Sequence, residues 1–430
     1  MSIDSSPPNI VTKTAKGPPS RSWHTLLTGR DLPTSDVAHQ TVGKLVGLAI
    51  FAADALSSTG YATEAILFTL AAAGAGAFNL VMPISVAIVV LIVIVTTSYE
   101  QTIHAYTGGG GAYIVARDNL GEAPAQVAGG ALLTDYILTV AVSVSSGVAQ
   151  IVSAFPFLYS YRVLITVALV IFMMVINLRG VRESGRAFAI PTMLFVVLMG
   201  IMLLTGFVRY FTGTLGTLVN PPEMVAVGAV TAVTPFLLLH AFSSGTSAMT
   251  GIEAISNGVT AFKEPRSRNA GITLIWMSTI LATLFFGISF LTGKIQAVPS
   301  DYETVISQIG RTIFGGEGAL YLVVLAATAV ILVLAANTAF AGFPRLSALQ
   351  AADGFLPRQL TRRGGRLVFS NGILTLGVIS CALIIIFQAN VNRLIPLYAI
   401  GVFLSFTLSQ AGMARRWWKS GHLQPEEQVQ

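Results

Sequence analysis

Asp54-Ala55-Leu56-Ser57-Ser58-Thr59-Gly60-Tyr61, with Thr63-Glu64-Ala65 after it, has a counterpart later in the chain. The second stretch is Ala241-Phe242-Ser243-Ser244-Gly245-Thr246-Ser247, with Thr250-Gly251-Ile252-Glu253-Ala254 after it. Each sets an Ala-x-Ser-Ser run and a nearby Gly inside an apolar segment, then a Thr and a Glu. Small polar residues and Gly at mid-membrane lower the cost of unwinding a helix and leave backbone groups free to bind a solute. Ser and Gly also allow close helix packing, which would account for one such patch. Two in corresponding places, each with carboxylates, favour interrupted helices and a transporter built from inverted repeats.

The rest of the chain supplies the membrane setting. Of its 430 residues 53% are hydrophobic and only 10% charged, where soluble domains carry about 25% charged residues. Its mean hydropathy is +0.74. Apolar runs of the length that crosses about 30 Å of hydrocarbon fall near 45–73, 79–99, 125–154, 161–178, 187–208, 225–257, 270–293, 318–343, 367–388 and 393–414. Lipid cannot satisfy an open backbone, so these runs predict ten helices in an all-α integral membrane protein. The fold class expected is a LeuT-like five-plus-five inverted repeat with its first and sixth helices broken. The repeats cover about 44–210 and 225–414 within a core of 44–414. Residues 1–43, rich in Ser, Pro and Thr, read as a disordered tail, and 415–430 as a short polar tail. Cys381, the single cysteine, lies inside an apolar run and precludes a disulfide framework.

Lys and Arg set the orientation. With the N-terminus inside, 20 of the 25 fall on the inner side and 5 on the outer. Both termini are therefore expected in the cytoplasm of a multi-pass plasma-membrane protein, with Trp417 and Trp418 as an interfacial anchor. The net charge of +6 belongs to these loops and gives no reason to expect a nucleic-acid partner. The partner surface is the lipid bilayer.

Asp54, Glu64, Asp135 and Glu253 lie in or near the spans, and no Lys or Arg lies well inside one. A charge at mid-bilayer costs about 2.5–3.5 kcal/mol on insertion scales, so these acids need a neutralising partner from outside: a proton or a bound cation. Asp135, Thr139 and Ser143, at i, i+4 and i+8, share one stripe of the third span. Asp54 and Tyr61 are two turns apart in the first, and Thr250 and Glu253 are three residues apart in the sixth. Carboxylates, hydroxyls and freed carbonyls are the ligands hard cations take. Glu64, nearer its span end, reads equally well as facing water. Asn337 and Thr338 either face the site or pack. His240 is a second candidate proton carrier, or a structural histidine. Gly108 to Gly111 lack the strand and the Lys-Ser or Lys-Thr of a phosphate loop and read as a hinge. With no nucleotide motif, metal-spaced cluster or nucleophile elbow, the chain reads as neither an enzyme nor a cofactor protein.

Four stretches carry a family resemblance: Asp54 to Tyr61, Ala112 to Gly121 with the glycines before it, Thr134 to Ser143, and Thr250 to Gly258. They resemble the amino acid–polyamine–organocation permease superfamily, with Asn177-Leu-Arg-Gly180 as a broad superfamily mark. The combination of Asp54, Asp135 and Glu253 resembles the KimA-type potassium importers within it. The resemblance covers roughly 43–414 and implies inward symport of potassium with protons by alternating access. It implies a substrate or ion site at Asp54, Tyr61, Asp135, Tyr136, Thr139, Ser143, Thr250 and Tyr398. Potassium would be held at Asp54, Asp135, Thr139, Ser143 and Thr250, with Glu253 coupling the proton and Tyr398 acting as gate or lining. Such importers continue into two further helices and a cytoplasmic nucleotide-sensing domain. This chain stops at Gln430, so dimer contacts and cyclic di-AMP regulation do not carry over, and an oligomer is unsupported. The alternative is an amino acid or polyamine permease on the same scaffold. A cationic amino acid or polyamine could also use unpaired acids.

Overall fold

The computed structural model describes residues 42–109, 111–179, 185–225, 232–362 and 369–420. The N-terminal tail through residue 41, residues 421–430, Gly110, Gly180 and Arg182 lie outside the described residues. Among those described, the chain is helical with one isolated β-bridge, Val42 to Phe262. The first span is α1 (Lys44–Ser57) and α2 (Ala62–Ala71), and the second is α3 (Val81–Ala105). A short α4 (Ala112–Leu120) precedes the third span, α5 (Glu122–Ala154). Then come α6 (Arg162–Leu178) and α7 (Gly185–Phe211). The sixth span is α8 (Pro235–Gly245) and α9 (Glu253–Asn257), followed by α10 (Arg266–Ile295). An amphipathic loop helix, α11 (Val305–Phe314), leads to α12 (Ala319–Ala352), α13 (Ser370–Ile386) and α14 (Val391–Ser420).

Among the described residues, eight helical segments are long and apolar enough to cross a membrane, and α13 is a shorter apolar helix. The sixth span meets no such length because it is interrupted. It also starts later than the expected 225, at Pro235. Thr234 caps it, accepting a hydrogen bond from the Leu237 amide at 3.2 Å, and Pro235 stands at the first helical position, a strong start signal. Residues 226–231 lie outside the described set. The eighth span runs past the expected 343 to Ala352 with Pro344 inside it, and the tenth runs through Trp417 and Trp418 to Ser420.

Helix packing repeats with a period of five spans. α3 packs on α10, α5 on α12 and α6 on α13, each pair being one span and its counterpart five later. Contacts of α1 with α10 are matched by those of α8 and α9 with α3. Those of α7 with α12 are matched by those of α14 with α5. This is the pairing two five-helix repeats produce.

The two interruptions differ in depth. In the first, Ser57, Ser58 and Thr59 turn their hydroxyls onto the carbonyls three residues back. This competes with the helical ladder. The chain tightens into a 3-10 turn over Ser58–Gly60 and resumes at Ala62. In the second, Thr246, Ser247 and Thr250 do the same, but Thr250 is then extended (ψ 144) and Gly251 left-handed (φ 81). Only here does the helix truly unwind, since a positive φ is open to Gly at little cost. Gly245, which the sequence pattern picks out, is a packing glycine at the end of α8. A Cβ there would come within 2.5 Å of Ile66 and 2.7 Å of Ile88.

Gly245→Ala is therefore expected to destabilise the fold by about 1–3 kcal/mol through overpacking, with partial rescue by Ile66→Val. Thermal unfolding in detergent checks this. An unchanged midpoint in the single variant would contradict the close approach.

Candidate functional site

The two breaks meet. Ser58 Oγ donates to the Ala248 carbonyl at 2.8 Å. A Cβ on Gly251 would come within 2.7 Å of the Ala55 amide nitrogen and 3.0 Å of the Asp54 side chain. Gly251 thus answers two demands at once, the left-handed turn and the approach of one broken helix to the other. Across this junction the Tyr61 hydroxyl lies 3.4 Å from Thr250 Oγ1.

Asp54 is buried at the end of α1. Thr338 Oγ1 of α12 donates to its Oδ2 at 3.2 Å, while Oδ1 has no protein partner. Thr338 is held through its neighbour: Asn177 Nδ2 at the end of α6 donates to Asn337 Oδ1 at 2.7 Å. The asparagine of the superfamily mark thereby props the helix that serves Asp54. On α5, Thr139 Oγ1 is 3.1 Å from the Tyr398 hydroxyl. Asp135 and Ser143, one turn either side of it, are buried with Asp135 Oδ1 and Ser143 Oγ unpartnered. The tenth span closes on Asp135 through Gly401, whose Cβ would sit 3.3 Å from the Asp135 amide nitrogen. Glu253 opens α9, 5% exposed, with Oε2 unpartnered.

No ion pair among the described residues involves Asp54, Asp135 or Glu253. Nor do three His, Cys, Asp or Glu side chains there converge closely enough to hold a metal ion between them. The three acids surround a region lined with hydroxyls and do not make one chelate. That donor set suits a monovalent cation held by mixed oxygens better than a transition metal.

A cavity of about 310 Å³ reaches this region. Asp54, Glu253, Thr338 and Tyr136 line it, with Gly108, Gly109 and Gly111 of the loop before α4. Tyr136 packs over Gly342 of α12, where a Cβ would lie 2.6 Å from the ring. Arg345, the one basic residue among the described residues of the lining, is exposed and bridged to neither acid. Tyr61, Asp135, Thr139, Ser143, Thr250 and Tyr398 do not line this cavity.

Two readings of the sequence change. His240 is exposed on α8, beside Phe236 and against Pro396 and Phe403 of α14, away from the acids. Glu64 is half-buried and has a protein partner. Its Oε2 accepts from the Val305 amide at 3.1 Å. The role of Thr338 as the donor to Asp54 could be reached from sequence only as one of two options.

With this arrangement in view, the comparisons are informative. A family model described as amino acid permease matches residues 34–427. The chain belongs to the amino acid permease family. A protein named potassium transporter KimA, from Bacillus subtilis, is 48% identical to this permease over 394 residues. The match covers 91% of the permease and 64% of that relative, so the chain spans a little under two thirds of its length. Among solved structures, a manganese transporter from Eremococcus coleocola aligns with a TM-score of 0.43 at 14% identity, covering 93% of this chain and 81% of that one. A histidine-to-alanine mutant of the same transporter aligns with a TM-score of 0.39 at 13% identity, covering 87% of this chain and 81% of that one.

Gly251→Ala is expected to lower stability more than Gly245→Ala. It adds a left-handed penalty of about 1–2 kcal/mol to an overlap with backbone that cannot swing aside. Side-by-side thermal unfolding of the two variants checks the order, and a milder effect at Gly251 would contradict the junction described.

Proposed function

We propose that this permease imports potassium ions by proton symport, alternating the access of the Asp54–Asp135–Glu253 region between the two membrane faces. The observation that carries the reading is the set of three buried carboxylates with unpartnered oxygens and no ion pair among the described residues. An isolated buried charge is strongly disfavoured, so charge must arrive from outside the protein. The name and identity of the Bacillus subtilis relative support potassium as the cargo.

Each residue then has a physical task. Asp54 and Asp135 supply charge, and the hydroxyls of Tyr61, Thr139, Ser143 and Thr250 replace part of the ion's water. Tyr398 of α14 hydrogen-bonds Thr139, so α14 can close over the ion. Glu253, between apolar Ile252 and Ile255 at the cavity, exchanges the proton. Tyr136 lines the path between them and the inner face. The positive-inside count supports a cytoplasmic inner face, with both termini and the cavity on that side, and the plasma membrane is the membrane this reading assigns. The second reading, a permease for cationic amino acids or polyamines, draws on the 310 Å³ cavity, roomier than a bare ion needs.

The test is rubidium uptake by proteoliposomes, with and without an inward proton gradient, in competition with potassium, lysine and spermidine. Potassium is expected to compete and the gradient to drive accumulation. Competition by lysine or spermidine alone would favour the second reading. Asp135→Asn should insert, purify and carry no rubidium, whereas normal uptake per folded molecule would remove Asp135 from the site. Glu253→Gln, a mimic of the protonated acid, should still exchange rubidium but lose the response to the proton gradient. A wild-type response would put the proton elsewhere.

A further inference from the structure

One half-buried acid within the spans is left unused by the central site. Glu64 lies on α2, beyond the first break, and floors a second cavity of about 50 Å³. The space is larger than a single water needs, so it has room for a small ion. Ser145 of α5 lines the same cavity; it is 2% exposed, and its hydroxyl has no protein partner. Asp301, exposed and accepting a hydrogen bond from Asn390 Nδ2 at 3.2 Å, also lines it. The one basic residue among the described residues of the lining, Arg162, is turned to other partners. Its Nε donates to the Gln388 carbonyl and its NH1 to the Tyr159 carbonyl, both at 3.2 Å, and its guanidinium covers the Tyr159 ring at 4.2 Å.

A polar stripe runs along α5 from the central site and meets the edge of this cavity at Ser153. From Asp135, buried polar residues recur along α5 at Thr139, Ser143, Ser146, Gln150 and Ser153, steps of three and four that keep to one helix face. Ser143 Oγ, Ser146 Oγ and Gln150 Nε2 have no protein partner. At its far end the stripe is shut by the loop before α11: the Thr304 amide donates to Ser153 Oγ and Thr304 Oγ1 to Gln150 Oε1, each at 2.9 Å.

We infer that Glu64 and Ser145 form a second, outer binding site for a monovalent alkali cation, from which the α5 stripe leads to the central site. The inference rests on the cation reading of that central site. A purely structural account of Glu64 exists, because a carboxylate at the first amide of α11 steadies a helix N-terminus. It leaves the unpartnered Ser145 hydroxyl unexplained. The two accounts separate on charge. Gln at position 64 still offers an oxygen to the Val305 amide, whereas Asp keeps the charge and shortens the reach.

The experiment measures initial rates of rubidium uptake into proteoliposomes against external rubidium, for wild type, Glu64→Gln, Glu64→Asp, Ser145→Ala and Asp135→Asn. Glu64→Gln is expected to raise KM about tenfold, the scale of losing an ionised partner, with a smaller fall in kcat. Glu64→Asp should regain part of that affinity, and Ser145→Ala should raise KM in the same direction. Ser145 Oγ makes no hydrogen bond within the protein, so this variant carries the test should the Glu64 variants fail to fold. A wild-type KM in Glu64→Gln or, failing that, in Ser145→Ala overturns the outer site, as does a fall in kcat alone, which would mark Glu64 as a latch on α11. Asp135→Asn separates the two claims: its loss of uptake beside unchanged Glu64 and Ser145 variants sinks the outer site only. A wild type that carries no rubidium sinks the central reading and the outer site together.

Discussion

Carboxylates buried without a cationic partner are the constraint to which the rest of this permease answers. Removing a charge from water is costly, and a carboxylate whose oxygens lack donors recovers little of that cost within the protein. Asp54 has one side-chain donor, Thr338, and Asp135 and Glu253 each keep an unpartnered oxygen. The breaks bring these acids together. A continuous sixth helix could not place Gly251 against the Ala55 amide, and without that contact Asp54 and Glu253 would not share one cavity. Asn177 holds Asn337, Asn337 fixes the register of Thr338, and Thr338 serves Asp54. Three spans thus converge on one carboxylate.

The two ends of the site are unequal in this conformation. Toward the Gly108–Gly111 loop a cavity of about 310 Å³ reaches Asp54 and Glu253. Toward Glu64 the path narrows to about 50 Å³ beneath α11. The Thr304 and Val305 amides on Ser153 and Glu64, and the contact of Tyr159 with Tyr302 at 4.6 Å between ring centres, close it. A transporter that alternates must break the narrow end and seal the wide one. The parts that must move are visible as contacts between separate elements: α11 on α2 at one end, the glycine loop beside Asn257 at the other. Gly111 approaches the Asn257 side chain closely, with 3.1 Å from a built Cβ to its Oδ1, so the glycine loop already rests near the segment that would close.

Much of this was legible in the sequence. The absence of Lys and Arg inside the spans isolated Asp54, Asp135 and Glu253, and the two Ser-rich patches located both breaks. Tyr136 and Tyr398 came only from family resemblance, since a tyrosine in an apolar span carries no local sign of its partner. The sequence did not show which glycine breaks the sixth span. Gly245 and Gly251 sit in similar company, and only packing shows that Gly245 meets Ile66 while Gly251 turns left-handed. Glu64 was ambiguous for a related reason: its partner, the Val305 amide, is 241 residues away. The late start of the sixth helix was readable at Thr234-Pro235, but the apolar run before it suggested a longer span.

The most direct test is anomalous diffraction from the protein crystallised in rubidium or thallium, which marks the ion whatever its transport rate. The account predicts a peak within coordinating reach of Asp54 or Asp135 and the hydroxyls of Thr139 or Thr250, lost in Asp135→Asn crystals. Saturating rubidium with no peak in that cluster, in crystals that show the metal at surface sites, would contradict it.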